Sequence, residues 1–184
     1  PAPVLWSREP LSDVADLVGL RVLAHGLLAE VVRGLGAEPI AVLTVEEALD
    51  AIRMGAVDAA EWGNLVQAHA AGIPARLPFG YAGALRQSGG TLALNVPLQA
   101  WNELDSGLQE QVADAAAARF RQAVLEERSI SHMTRQALSA HGVTLAKFAR
   151  PVQSAVDRVA AAVVAHAAHA DPRSAAINAS YMQY

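Results

Sequence analysis

The stretch that decides the fold is residues 19–61, which read GLRVLAHGLLAEVVRGLGAEPIAVLTVEEALDAIRMGAVDAAE. Three short apolar runs within it, Gly19–Ala24, Ile40–Leu43 and Val57–Glu61, have the length and the flanking residues of buried strands. Two segments with the apolar spacing of a helix separate these runs. Because strands that alternate with helices pair in parallel through right-handed crossovers, the stretch predicts an α/β fold.

Local signals place the ends of the two helices in this stretch. Leu27–Leu35 carries apolar residues at helical spacing, and Gly36 stands where a left-handed C-terminal cap belongs. Thr44 and Glu47 have the spacing of a capping box, in which each side chain bonds the backbone N–H of the other residue. The second helix therefore begins after Thr44 and stops at Gly55.

Beyond this stretch the chain becomes irregular. Glycine and proline punctuate residues 63–90 and predict a long loop, and the apolar run Thr91–Val96 predicts a further strand. Pro97 then begins a short helix. A second capping box at Ser106 opens a long helical pattern that ends near Gly142.

The C-terminal part is mainly helical. Val143–Phe148 predicts a last strand, and helical patterns follow at Val152–His169 and Arg173–Tyr184. We therefore expect an α/β lobe at residues 1–104 and C-terminal helices at residues 105–184. These helices pack on the lobe and contribute the added strand near 143–148.

Composition limits the classes of function. The net charge of −4, with no basic stripe, disfavours nucleic acid as a partner. The absence of cysteine excludes a disulfide framework and a cysteine zinc site. No run of about 18 apolar residues predicts a membrane span. Since the chain opens at Pro1 with neither an initiator Met nor a basic leader, we expect a processed or trimmed product.

Several motifs, in one order along the chain, carry a family resemblance. They are LWSREPLSDVADLVGLRVLAHGLLAEVVRGLGA at Leu5–Ala37, AIRMGAVDAAEW at Ala51–Trp62, TLALNVPLQAW at Thr91–Trp101, and the closing Asp171-Pro172. This set resembles the C-terminal half of TRAP-type (DctP-like) periplasmic solute-binding proteins, in the branch that binds monocarboxylates and 2-oxo acids. The resemblance implies one lobe of a type II periplasmic-binding-protein-like fold.

The resemblance also implies a function and a compartment. Proteins of this family are two-lobed clamps that close on an organic acid in the periplasm and deliver it to a membrane permease. The pattern of the first lobe is absent here, so we expect either a fragment or an unusual protein with half a clamp, and in both cases an exposed half of the cleft lining. An exposed apolar lining favours pairing, and a homodimer would rebuild two walls.

The positions that face the ligand in the family have changed in this sequence. The carboxylate-clamping arginine of the family falls at Leu23, which offers no bidentate grip on a carboxylate. The family's G-W-W-E-P falls at residues 84–88, where the Glu that helps to hold a metal ion is Gln87. Glu61 and Trp62 keep the family's residues. We therefore expect altered carboxylate recognition and neither a metal ion nor a cofactor.

The candidate ligand-binding residues are His25, Gly26, Glu61, Trp62, Asn64, Tyr81, Arg86 and Gln87.

Each candidate also has a purely structural interpretation. Glu61 and Trp62 end a strand, where ligands of open α/β sheets bind, but they are equally compatible with a packed seam. His25 precedes a helix N-terminus, which attracts anions, although a turn histidine without a ligand is the simpler interpretation. Arg86 is either a displaced carboxylate clamp or a solvated loop residue. Asn64, Tyr81 and Gln87 are candidates by position alone.

Three functions follow in order of preference. The first is a binding protein for a small organic acid or a more neutral compound. The second is an interaction module without a ligand that dimerises through the former cleft. The third is an enzyme with His25 and Glu61 as an acid/base pair, but no catalytic motif supports it, so we expect no enzyme.

Overall fold

The computed structural model describes residues 4–83 and 93–181. Its centre is a six-stranded sheet. The strands are β1 (Val4–Ser7), β2 (Arg21–Leu23), β3 (Glu38–Ile40), β4 (Ala59–Glu61), β5 (Phe79–Ala82) and β6 (Thr144–Ala146). Their order across the sheet is β3-β2-β4-β1-β5-β6. The α/β class is thereby confirmed.

The sheet is mixed, whereas the sequence indicated a parallel one. β2 pairs in parallel with β3 and β4, and β5 pairs in parallel with β6. β1 lies between β4 and β5 and is antiparallel to both. The sequence analysis did not predict β1, whose four residues, VLWS, are all buried between β4 and β5.

Seven α-helices occur in the described residues. They are α1 (Gly26–Gly34), α2 (Val45–Arg53), α3 (Leu65–Ala70), α4 (Leu98–Asn102), α5 (Ser106–Ala140), α6 (Arg150–Ala168) and α7 (Pro172–Tyr181).

Two predictions for the middle of the chain are wrong. The expected loop at residues 63–90 contains α3 and β5 within its described part. Glycine at position 80 weakens the strand signal of β5, whose residues are FGYA. Of the predicted strand Thr91–Val96, residues 93–96 are in no strand, and the first two residues lie outside the described ranges.

Boundary signals were accurate to within a few residues. Strand β3 begins at Glu38, two residues before the predicted run, and ends at Ile40. Thr44 accepts a hydrogen bond from Glu47 N at 3.1 Å, but the Glu47 carboxylate accepts from Leu43 N instead of Thr44 N. The cap of α5 is Asp105, one residue before the predicted Ser106.

Helices cover both faces of the sheet and enclose two apolar clusters. One cluster contains Leu5, Val22 and Val31 together with Val156 of α6. The other contains Trp6, Ile52, Leu65 and Leu77, with Leu138 near the end of α5. The C-terminal part thus contributes a helix, a strand and a helix end to the sheet layer. The domain boundary at residue 104 stays a prediction.

Close approaches between elements depend on glycine at two positions. A Cβ at Gly34 would lie 2.6 Å from Val159 Cγ1, so the absence of a side chain lets α1 approach α6. A Cβ at Gly80 would lie 2.8 Å from both Trp6 Cζ3 and Leu145 Cδ2. Glycine in β5 therefore leaves room for the Trp6 ring, which is 0% exposed.

Helix α5 is different from the other long elements. Of its 35 residues, the buried ones are Thr134 and Leu138, both near its C-terminal end. Phe120 and Leu125 are exposed. Among the described residues, no helix combines the length and the apolar character that a membrane span requires.

Candidate functional site

A cavity of about 420 Å³ lies at the carboxyl ends of β2 and β4. These strands are neighbours and run in parallel, so their ends meet at one edge of the sheet, the edge where open α/β sheets bind ligands. Helices α1 and α2 begin beside the same edge. The aliphatic lining consists of Leu23, Ala24, Leu28, Val42, Leu43, Val45 and Ala48, and the lining residues with a polar group in the side chain are His25, Thr44, Glu61 and Trp62.

Glu61 is the last residue of β4 and is partly buried. Among the described residues its carboxylate makes no hydrogen bond and no ion pair. Burial raises the pKa of Glu61 to about 7. A carboxyl group with this pKa is both a proton donor and an acceptor near neutral pH, and it retains capacity for a ligand.

The backbone of β1 fixes the next residue, Trp62. Trp62 N donates to Val4 O at 3.1 Å, and Val4 N donates to Gly63 O at 3.0 Å. The Trp62 side chain packs partly against the apolar cluster of Trp6. The cavity lining therefore includes two consecutive residues at the end of β4, Glu61 and Trp62.

His25 and Thr44 stand at the first turns of the two helices. His25 is the N-cap residue of α1, and its exposed side chain makes no capping hydrogen bond. The imidazole is thus available at the positive end of the α1 dipole. Thr44 is the N-cap of α2, and its hydroxyl oxygen is used by Glu47 N.

Three other candidates are described but do not line the cavity. Gly26 begins α1 with a positive φ of 55°. Asn64 accepts from Gln67 N at 2.9 Å and caps α3. The buried Tyr81 hydroxyl accepts from Leu11 N at 2.7 Å, and its ring lies 4.8 Å from that of Phe148.

Of the eight candidate residues, the structure thus brings His25, Glu61 and Trp62 together at the cavity. Arg86 and Gln87 lie outside the described residues.

No lysine or arginine lines the cavity among the described residues. Leu23, where the family resemblance predicts an arginine, contributes apolar surface. Arg21 binds Asp58 through two hydrogen bonds, from Nε at 2.8 Å and from Nη2 at 2.6 Å. This pair lowers the pKa of Asp58 and keeps the Arg21 guanidinium away from the site.

Sequence reasoning missed the α2 side of the cavity. Val42, Leu43, Thr44 and Val45 line it, although their sequence indicated only a strand end and a helix cap. The available signal was position, because a helix cap that follows a parallel strand lies at the carboxyl edge of the sheet.

The family comparison matches this chain over most of its length. The model of the bacterial extracellular solute-binding proteins, family 7, matches residues 5–171. A curated relative, the monocarboxylate 2-oxoacid-binding periplasmic protein of a Nostoc species, is 27% identical over 154 residues. That alignment covers 84% of this chain and 42% of the relative.

Solved structures share the fold. The periplasmic ectoine-binding protein of the TeaABC TRAP transporter of Halomonas elongata superposes with a TM-score of 0.77 at 19% identity, over 94% of this chain and 56% of that one. A TRAP periplasmic solute-binding protein of Pseudoalteromonas atlantica, with bound sodium and pyruvate, gives 0.71 at 23% identity, over 96% and 54%. The chain thus spans about half the length of its relatives.

Proposed function

Because the chain belongs to family 7 of the bacterial extracellular solute-binding proteins, we propose that it binds a small organic acid in the cavity at the ends of β2 and β4. Its place of action is the periplasm, and its partner is a TRAP-type membrane permease. The chain binds its ligand and does not transform it. The observation that carries the proposal is this cavity, which combines a largely apolar lining with three available polar groups.

The relatives support the class of ligand. The Nostoc relative is named for binding monocarboxylate 2-oxo acids, and the Pseudoalteromonas structure contains pyruvate. Glu61, Trp62 and Leu23 line the cavity of this chain, and the family resemblance predicts an arginine at the position of Leu23. We therefore propose an organic acid that is held by His25 and the first turn of α1 without a guanidinium clamp.

Calorimetry on a panel of 2-oxo acids, hydroxy acids and zwitterionic acids tests this function. Val45→Trp places an indole in the cavity, and we expect it to lower the affinity of any bound acid at least tenfold. Val18→Trp is the matched control, because Val18 and Val45 are both 65% exposed and Val18 does not line the cavity. Binding that is equally weakened by both substitutions, or no binding by any acid, would refute the proposal.

A second candidate is an interaction module that dimerises through the same cleft. The rim of the cavity favours it, since Leu43 is 95% exposed and Val45 is 65% exposed. Large apolar side chains at this exposure are suited to a contact with a second copy. Light scattering on a size-exclusion column tests it. A dimer that Leu43→Asp converts to a monomer would support this role, and a wild-type monomer at high concentration would contradict it.

A further inference from the structure

The charges around the cavity are one-sided. Glu61 is the single carboxylate among the described lining residues, and no lysine or arginine lines the cavity there. His25 is the other titratable lining group. A ligand that is only an anion would therefore approach a carboxylate without meeting a fixed positive charge in this part of the chain.

The Glu61 carboxylate lacks a hydrogen-bond or ion-pair partner among the described residues. A partly buried carboxylate is costly unless it is paired or hydrogen-bonded, and Glu61 has neither kind of partner among the described residues. Burial raises the pKa of Glu61 because no partner compensates for the lost hydration of the charged carboxylate. A positively charged group on the ligand would supply the missing partner.

The neighbouring indole favours an organic cation. Tryptophan is the aromatic side chain that attracts cations most strongly, and sites for alkylated ammonium groups are built from such rings. Trp62 follows Glu61 directly and lines the same cavity. A cation in this cavity would therefore meet an aromatic residue and a carboxylate residue among its lining.

A metal ion fits this donor set less well. Calcium takes six to eight oxygen ligands, of which several are carboxylates or carbonyls. Within the described ranges, no group of three or more His, Asp or Glu residues is placed to hold a metal. One carboxylate beside aliphatic side chains is instead typical of a site for an organic cation.

We propose that the cavity selects an organic acid that also carries a positively charged nitrogen, and that this nitrogen lies between the Glu61 carboxylate and the Trp62 indole. The inference rests on the proposed function and specifies its substrate class. The acid group of such a zwitterion lies toward His25. The aliphatic lining encloses the carbon frame.

Two ligands of equal shape isolate the charge. Glycine betaine and 3,3-dimethylbutanoate differ in that a quaternary nitrogen replaces a quaternary carbon, and both carry a carboxylate. We expect calorimetry at pH 8 with EDTA present to show at least tenfold tighter binding of glycine betaine. Glu61→Gln should remove most of this preference, because it takes the charge partner from glycine betaine and the repelling carboxylate from 3,3-dimethylbutanoate.

Glu46→Gln is the matched control variant. Glu46 is an exposed carboxylate in the first turn of α2, and it does not line the cavity. Glu46→Gln removes the same charge near the site. A loss of the preference for glycine betaine that occurs only in Glu61→Gln therefore supports the proposal. An equal loss of this preference in both variants would overturn the proposal, because the general negative potential near the cavity would then explain the selectivity without a contact to Glu61.

Pyruvate and calcium chloride complete the experiment. Pyruvate or 3,3-dimethylbutanoate bound as tightly as glycine betaine overturns the inference but leaves organic-acid binding in place. Calcium bound without an organic ligand, and lost in Glu61→Gln, also overturns it by making the carboxylate a metal ligand. If none of the organic acids binds, the inference and organic-acid binding by this chain fail together.

Discussion

The central sheet layer buries its large apolar side chains, whereas the long helix α5 exposes several of its own. Trp6, Val57 and Leu77 of the sheet layer are 0% exposed, and helices cover both faces of that layer. Helix α5 exposes Phe120 and Leu125 and buries residues only near its C-terminal end. The comparison teaches that the apolar side chains of the sheet layer are covered within the described chain, whereas much of α5 presents side chains such as Phe120 and Leu125 to solvent.

The candidate cavity belongs to the sheet layer. It is built from strand ends and helix starts whose backbones are fixed by the sheet, so its side chains are positioned before a ligand arrives. Helix α5 differs, because none of its residues lines this cavity. Three changes test this difference between the two regions.

The largest expected effect is at Trp6. Trp6→Ala removes a fully buried ring from the core, and we expect a loss of about 3–5 kcal/mol in the free energy of unfolding. Phe120→Ala on α5 should cost less than about 0.5 kcal/mol, because the ring is half exposed. Urea unfolding followed by circular dichroism measures both. Similar losses of unfolding free energy at Trp6 and Phe120 would contradict the difference in burial between the sheet layer and α5.

A smaller effect is expected at Gly80. Gly80→Ala drives a methyl group against Trp6 and Leu145, and we expect a loss of about 1–3 kcal/mol. Gly107→Ala in the first turn of α5 is the control, since alanine favours a helix and the nearest obstacle is Asp105 Oδ1 at 3.2 Å. Its change in unfolding free energy should stay below about 1 kcal/mol. A larger loss of unfolding free energy at Gly107 than at Gly80 would contradict the tight packing of the sheet layer relative to α5.

The smallest effect concerns Glu61 and depends on pH. Its pKa in the folded chain, about 7, exceeds the ordinary value of 4.5, so folding favours the protonated form. Stability is therefore highest below pH 4.5 with respect to this group and falls as pH rises through 7. Glu61→Gln should stabilise the chain at pH 8 on the order of 1–2 kcal/mol, since solvent screening reduces the full value of the shift.

The matched change on α5 should have the opposite sign. A hydrogen bond from Arg119 lowers the pKa of Glu126, so that group stabilises the fold above its ordinary pKa, and the contribution is lost as pH falls. Glu126→Gln should therefore weaken the fold slightly at pH 8. Thermal unfolding at pH 5 and pH 8 compares the two variants, and a destabilising Glu61→Gln at pH 8 would contradict the raised pKa.

Much of the fold follows from local sequence signals. The runs around Val22 and Ala60 are strands, Gly36 has the positive φ of a helix cap, and Thr44 caps α2. These features depend on neighbouring residues, which sequence reasoning can evaluate. The sequence analysis did not predict β1 and β5, because their strand character comes from pairing with each other and with distant strands, and no local pattern indicates such pairing.

The site was predictable only in part, and for the same reason. Glu61 ends one predicted strand and His25 follows another, so the sequence indicated that both lie near one edge of the sheet. Tyr81 was a candidate by position, yet its hydroxyl accepts the N–H of Leu11, a residue 70 positions away. The apolar wall from α2 and the lack of a partner for Glu61 depend on tertiary packing, and the sequence alone could not reveal them.

The most direct test of the central claim is a ¹H–¹⁵N correlation spectrum of the chain with and without a saturating organic acid. The acid is whichever of pyruvate and glycine betaine binds more tightly in calorimetry. We predict that the amide signals of His25, Thr44, Glu61 and Trp62 shift, while those of residues 106–130 in α5 stay in place. Shifts confined to α5, or no shifts at a concentration that saturates the heat signal, would contradict a binding site at the strand ends.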